Sequence, residues 1–292
     1  MEDFICFGDS HSQCFEKTIT NYYFPASSAK GLANCNSATN ANGTIKRITQ
    51  NNKAKNYIFF FGKVDMDFIL NHMYNKHDEF DAEAYVDTIV KGYVQFIHSL
   101  DLIKVYVCEL PIGHLQDKDL LVILNDEFNH KCVGNFLNEK YDKLSVYKKV
   151  LSLEIRNRYL QQFNTQVKAL CEKYDYTFLE INKYFTDPYT GLVKIPEKYV
   201  HDGPNHHLKH SIKELFINSL HNPSQKTYSM WKPIANQGEQ VVNAQIGSLV
   251  RYGKGDKWIV HTVNEIPFPV TNAYFKDTCT DLDKHLEIFT AS

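Results

Sequence analysis

Apolar residues in this chain fall into short unbroken runs separated by longer stretches with helical spacing. Phe4-Ile5-Cys6-Phe7 leads into Gly8-Asp9-Ser10-His11, and Tyr57-Ile58-Phe59-Phe60-Phe61 ends at Gly62-Lys63-Val64-Asp65. Leu102–Leu110 is stopped by Pro111, and Tyr176–Ile181 forms a fourth run. Such runs, met by turn residues, predict strands buried on both faces, as in a parallel sheet. Between them Tyr85, Val86, Ile89, Val90, Tyr93 and Ile97 recur every three or four residues, with Asp81 placed to cap the start. Tyr159, Phe163, Val167, Leu170 and Cys171 mark a long helix over about 146–174, and Leu208, Ile212, Leu215, Phe216 and Leu220 mark another. A short helix is expected near 44–50. Residues 21–42 read as a loop with at most one short strand, and 112–141 as an irregular excursion with short helices bordering a cleft. Strands alternating with helices of this length imply right-handed crossovers. The expected fold is a three-layer α/β/α sandwich around a parallel, flavodoxin-like sheet.

The pattern changes after Asn222-Pro223-Ser224. Residues 247–252, 258–263 and 267–274 lean toward strand, and Gly253-Lys254-Gly255-Asp256 reads as a hairpin turn. We place a boundary here: 1–222 as the main domain and 223–292 as a small β-rich appendage, from which no chemistry is read.

Composition narrows the function. Net charge is −2 and basic residues are scattered, so no nucleic-acid partner is expected. No apolar run approaches the roughly 20 residues that span a bilayer, and the chain enters its first strand without a charged, cleavable leader. The 7 cysteines are odd in number and form no C-x-x-C pair, which argues for reduced thiols in a cytoplasmic setting. Most of the 18 Tyr and 19 Phe are expected in the core.

Chemistry concentrates where strands end. Ligands of open α/β sheets bind beyond the carboxyl ends of the strands, which is where Ser10 falls. A serine hydroxyl needs a base, and the base needs orienting. Asp202, followed by His206 and His207 at the start of the last predicted helix, offers both. Backbone N–H groups at Ser10 and Gly31 are candidates for stabilising an oxyanion. Asp9 is expected to brace the turn and Asp65 to line the site or cap local backbone. His206 and His210, four apart with His201 and Asp202 nearby, form a metal-binding alternative. Arg156 and Arg158 either grip a charged substrate or form a solvated helix face.

The order of these pieces resembles the SGNH (GDSL-like) hydrolase superfamily over about residues 2–222. Gly8-Asp9-Ser10 resembles the family's nucleophile block. Gly31 resembles the oxyanion glycine, Gly62-Lys63-Val64-Asp65 the third block, and Asp202 with a following histidine the last. The Ser-Ala-Lys-Gly-Leu and Phe-Gly-Lys-Val-Asp stretches look most like a branch found beside polysaccharide-modifying genes. The resemblance implies a serine esterase acting on a small acyl ester, O-acetyl on a carbohydrate, without metal or cofactor. Its site would comprise Ser10, His207 and Asp202, with Gly31, Asp65, Asp9, Lys63 and His206 around them. Two features depart from the family. Val64 stands where an Asn usually completes the oxyanion hole, so Lys63, Asn34 or Asn36 would have to substitute. Asp202 also lies four residues before His206 and five before His207, where the usual gap holds two residues. His207, followed by Leu208, fits the family pattern better than His206. A sugar acyltransferase using the same residues, and a glycan-binding protein without catalysis, remain as alternatives.

Overall fold

The structure is a computed structural model of the 292-residue chain. It describes residues 4–289 apart from 53, 55, 78, 127–146, 148, 187–192, 204, 222–230, 243, 245, 247, 255–256 and 278–283. The chain forms two compact units: 1–185 with 193–223, and 186–192 with 224–292.

The first unit is built on five parallel strands: β1 (Phe4–Gly8), β2 (Thr20–Tyr23), β3 (Asn56–Phe60), β4 (Val105–Cys108) and β5 (Thr177–Leu179). Their order is β2-β1-β3-β4-β5, with all pairs parallel. This is the flavodoxin-like order, which puts a topological switch point beside β1 and β3. Every residue of β4, and all but the first of β1 and β3, is buried. That is why these strands read as apolar runs rather than alternating ones.

Helices cover both faces. On one face α1 (Ala29–Leu32), α4 (Ala82–His98) and α6 (Leu153–Lys173) pack side by side. Val86, Ile89, Val90, Tyr93, Val94 and Ile97 of α4 enter the core at helical spacing, and Asp81 caps the helix by accepting from Ala84 N at 3.0 Å. On the other, α7 (Lys213–His221) and the short 3₁₀ helix Ser10–Phe15 lie close, with Phe216 against Phe15 and Phe60. α2 (Ala41–Asn51), α3 (Leu70–Lys76) and α5 (Asp117–Leu124) complete the layers.

Several expectations are corrected. The long helix starts at Leu153, capped by Ser152, rather than near 146. Most of the polar excursion after α5 lies outside the described residues. Arg156 neither grips substrate nor faces solvent. It is buried and ties loops together, donating to Leu151 O at 2.9 Å, Leu115 O at 2.8 Å and Asp117 Oδ1 at 2.9 Å. The last helical segment starts as a turn at His210–Ile212 and continues as α7, so His206 and His207 precede it in a loop. His206 and His210 therefore share no helix face, and the metal alternative built on that spacing falls.

The second unit holds a four-stranded antiparallel sheet, β6-β11-β8-β9 (Trp231–Asn236, His285–Phe289, Leu249–Lys254, Lys257–Thr262). A short pair, β7 (Gln240–Val241) with β10 (Phe268–Pro269), and α8 (Asn272–Phe275) accompany it. Its own core includes Val250, Tyr252, Val263, Phe268, Phe275 and Leu286. The expected strand over 267–274 is only two residues long before α8 begins.

Candidate active site

The site begins with what Gly8 permits. A Cβ there would stand 2.3 Å from Ser12 Cβ and 2.8 Å from Phe60 O, so only glycine lets the chain turn this closely past β3. The turn that follows is held by Asp9, which is fully buried. Its Oδ1 accepts from His11 N at 2.9 Å and pairs with His11 Nδ1 at 3.0 Å. Asp9 Oδ2 has no hydrogen-bond partner among the described residues. Ser12 Oγ donates to Asp9 O at 2.8 Å and closes the turn. Ser10 is thereby presented half-buried at the carboxyl end of β1, with its own N–H making no hydrogen bond among the described residues.

Ser10 Oγ meets His207 Nε2 at 2.8 Å, across 197 residues of sequence. His207 N donates to Asn205 Oδ1 at 2.9 Å, and the bridge between Val200 and Leu208 closes the loop that carries both histidines. Burial pulls the His207 pKa down to about 4. His11 and His201 push the same way, while Asp9 and Asp67 oppose them. Burial takes His206 lower still, to about 2, with His11, His207, Lys63 and His114 adding to the effect. Both imidazoles are therefore neutral at neutral pH, the form in which a ring can accept a serine proton.

Asp202 lies outside this contact. It is exposed and bonds neither His206 nor His207, and no acceptor meets His207 Nδ1 among the described residues. The carboxylates whose charge reaches His207 are Asp9 and Asp67.

Gly31 N donates to Ser28 Oγ at 2.9 Å, closing the first turn of α1. Asp65 is fully buried and supports the same turn, accepting from Ala29 N at 2.6 Å and Lys30 N at 3.2 Å. Burial pushes its pKa up to about 7 against the pull of those donors. Lys63 follows Gly62, whose φ of +122° and contact with the Phe163 ring again demand glycine. The Lys63 ammonium is buried and paired with Asp67 Oδ1 at 3.1 Å, and its charge is felt by His206 and His114. Asp65–Ile69 forms a widened turn with i→i+5 bonding. Such turns often sit at functional sites, and this one sets Lys63 and Asp67 on the histidine side of the sheet end.

Sequence reading missed Asp67 and His114. His114 Nε2 bonds Asn205 O at 3.0 Å, two residues before His207. It also lines a cavity of about 360 Å³ with Ile112, Asn157, Lys194, Ile195 and Val200. No sequence signal marked His114, because its partner is a backbone oxygen 91 residues away.

The chain matches no family model and no curated protein. Among solved structures it is similar to a lipase/acylhydrolase from Enterococcus faecalis, at 10% identity over 77% of this chain and 97% of that one, with a TM-score of 0.43. A catalytic mutant of an acetylxylan esterase from Geobacillus stearothermophilus gives 10% identity, coverage of 75% and 92%, and a TM-score of 0.47. A GDSL-like lipase from Bacteroides thetaiotaomicron gives 9%, 74% and 86%, and 0.39. Likeness at these identities and scores assigns neither activity nor substrate.

Proposed function

We propose that this chain is a serine esterase working through a Ser10–His207 dyad. The observation that carries the proposal is the 2.8 Å contact between Ser10 Oγ and a neutral imidazole at a sheet switch point. His207 takes the Ser10 proton as Oγ attacks the ester carbonyl. The same proton then passes to the leaving alcohol. Water resolves the acyl-enzyme by the reverse use of His207. The unbonded Ser10 N–H is the donor available to the oxyanion, and the buried Lys63 ammonium adds positive potential in place of the side-chain amide that Val64 lacks. Gly31 N–H joins them only by leaving Ser28 Oγ. Asp9, through His11, holds the turn and favours the imidazolium that develops on His207.

The ester proposed is a small acyl group, O-acetyl by the family resemblance, on a carbohydrate. The cavity beside His114, which mixes apolar walls with Asn157 and Lys194, is the proposed seat for the alcohol. Turnover of p-nitrophenyl acetate by wild type, Ser10→Ala and His207→Ala tests the reading. Both variants should lose at least about 10³-fold in kcat. Unchanged turnover in Ser10→Ala removes the serine mechanism.

A further inference from the structure

Three histidines crowd the nucleophile, and the esterase reading uses only one of them as a base. The ring of His207 lies 3.8 Å from that of His206 and 4.7 Å from that of His11, centroid to centroid. One nitrogen from each of His11, His206 and His207 can be chosen so that all three lie within 4.8 Å of one another. Three nitrogens bound tetrahedrally to one zinc ion are about 3.3 Å apart, given Zn–N bonds of about 2.0–2.1 Å.

The surroundings match those of a ligand set. His11 Nδ1 is held by the buried Asp9 carboxylate at 3.0 Å. That pairing orients the ring so that Nε2 faces His206, as an outer-shell carboxylate orients a metal-bound histidine. The same Nε2 donates to His206 O at 3.4 Å, and binding a metal there releases that proton. Neither ring nitrogen of His206 has a hydrogen-bond partner among the described residues, although the ring is largely covered and packs edge-on to Phe68 at 4.9 Å. With three histidines as ligands, water completes the set. Three imidazoles select borderline-soft divalent ions over magnesium or calcium.

We infer that His11, His206 and His207 form a binding site for one divalent transition-metal ion, with Zn²⁺ as the probe. Binding is independent of the esterase reading. Its consequence for catalysis rests on that reading: a metal bound to the His207 ring suppresses the basicity needed to accept the Ser10 proton, so the ion inhibits.

The test is calorimetric titration of Zn²⁺ into the full chain, with the visible spectrum of the Co²⁺ form as a second readout of coordination. Wild type and Ser10→Ala should each bind one equivalent with a tetrahedral Co²⁺ spectrum. His206→Gln and His11→Gln should weaken binding at least about 100-fold, and Asp9→Asn about 10- to 100-fold as an outer-shell change. His201→Gln, outside the cluster, should bind as wild type does. Circular dichroism of each variant separates lost ligands from lost fold. Saturating Zn²⁺ should abolish p-nitrophenyl acetate turnover, and EDTA should restore it. Absence of saturable binding in wild type, or binding unaffected by His206→Gln and His11→Gln, overturns the site. Binding at the three histidines in a chain without esterase activity keeps the site and removes only the proposed function. Loss of turnover in EDTA, restored by Zn²⁺, overturns the inhibitory role.

Discussion

Exchanging each carboxylate near the dyad for its amide identifies the acid that supports His207. Asp202→Asn removes an exposed charge that bonds neither histidine. An exposed charge that bonds neither ring acts only through water and should change the rate by no more than a few-fold. Asp9→Asn keeps an oxygen to accept from His11 N and Nδ1 but deletes a fully buried charge whose field favours His207 imidazolium. Hydrogen bonds to charged groups contribute about 1.5–3 kcal/mol, so kcat/KM should fall about 10- to 100-fold. The loss of a hydrogen-bonded acid from a serine triad costs about 10⁴ by comparison. The assay is kcat/KM for p-nitrophenyl acetate on both variants, with circular dichroism to show that each folds. A fall of 10³ or more in Asp202→Asn, beside wild-type turnover in Asp9→Asn, refutes the dyad geometry and restores Asp202 as the orienting acid.

Three further outcomes follow from the same contacts. In EDTA, kcat/KM should hold from pH 8 down toward 5 and fall tenfold per unit below about 4, because His207 must be neutral to act and its pKa is lowered to about 4; an inflection near 6.5 contradicts this. The same lowering means the unfolded chain binds more protons between about 4 and 6.5, so His207 makes stability decline as pH falls through that window, which urea titrations at several pH values should show. Gly8→Ala, whose Cβ meets Phe60 O at 2.8 Å, should cost about 1–3 kcal/mol in urea unfolding, and adding Ser12→Gly should recover only part because the backbone oxygen stays. Asp65→Asn has one acceptor for two N–H groups and should lower stability by about 1–2 kcal/mol, read as a shift in Tm.

Much of the fold could be read in the chain because β1, β3 and β4 are buried on both faces and so are almost wholly apolar. The position of Ser10 followed, since a glycine turn after β1 has one place to go. The segment 64–72 was opaque because it is also buried all round but carries Asp65, Asp67, Asn71 and His72, so neither an apolar run nor an amphipathic period survives. β6 was hidden by Pro233, which an edge strand tolerates where the register shifts opposite Leu286 and Glu287. In the site, the family resemblance of His207-Leu208 favoured His207 over His206, and the 2.8 Å contact with Ser10 involves His207. Asp202 was read from sequence proximity, but loop conformation, not spacing, decides which oxygen a ring meets. Asp9 is a buried acid paired with His11, and its charge acts on His207. It looked like a turn residue because it is one: the same carboxylate caps the Ser10–Phe15 turn and holds His11.

The claim under everything else is that Ser10 is an activated nucleophile. Incubation with a fluorophosphonate, followed by mass spectrometry of the digested chain, reads it directly. The account predicts one adduct per chain, on the peptide carrying Ser10, absent in Ser10→Ala and strongly slowed in His207→Ala. A folded wild-type chain that takes no label, or takes it on another residue, contradicts the account.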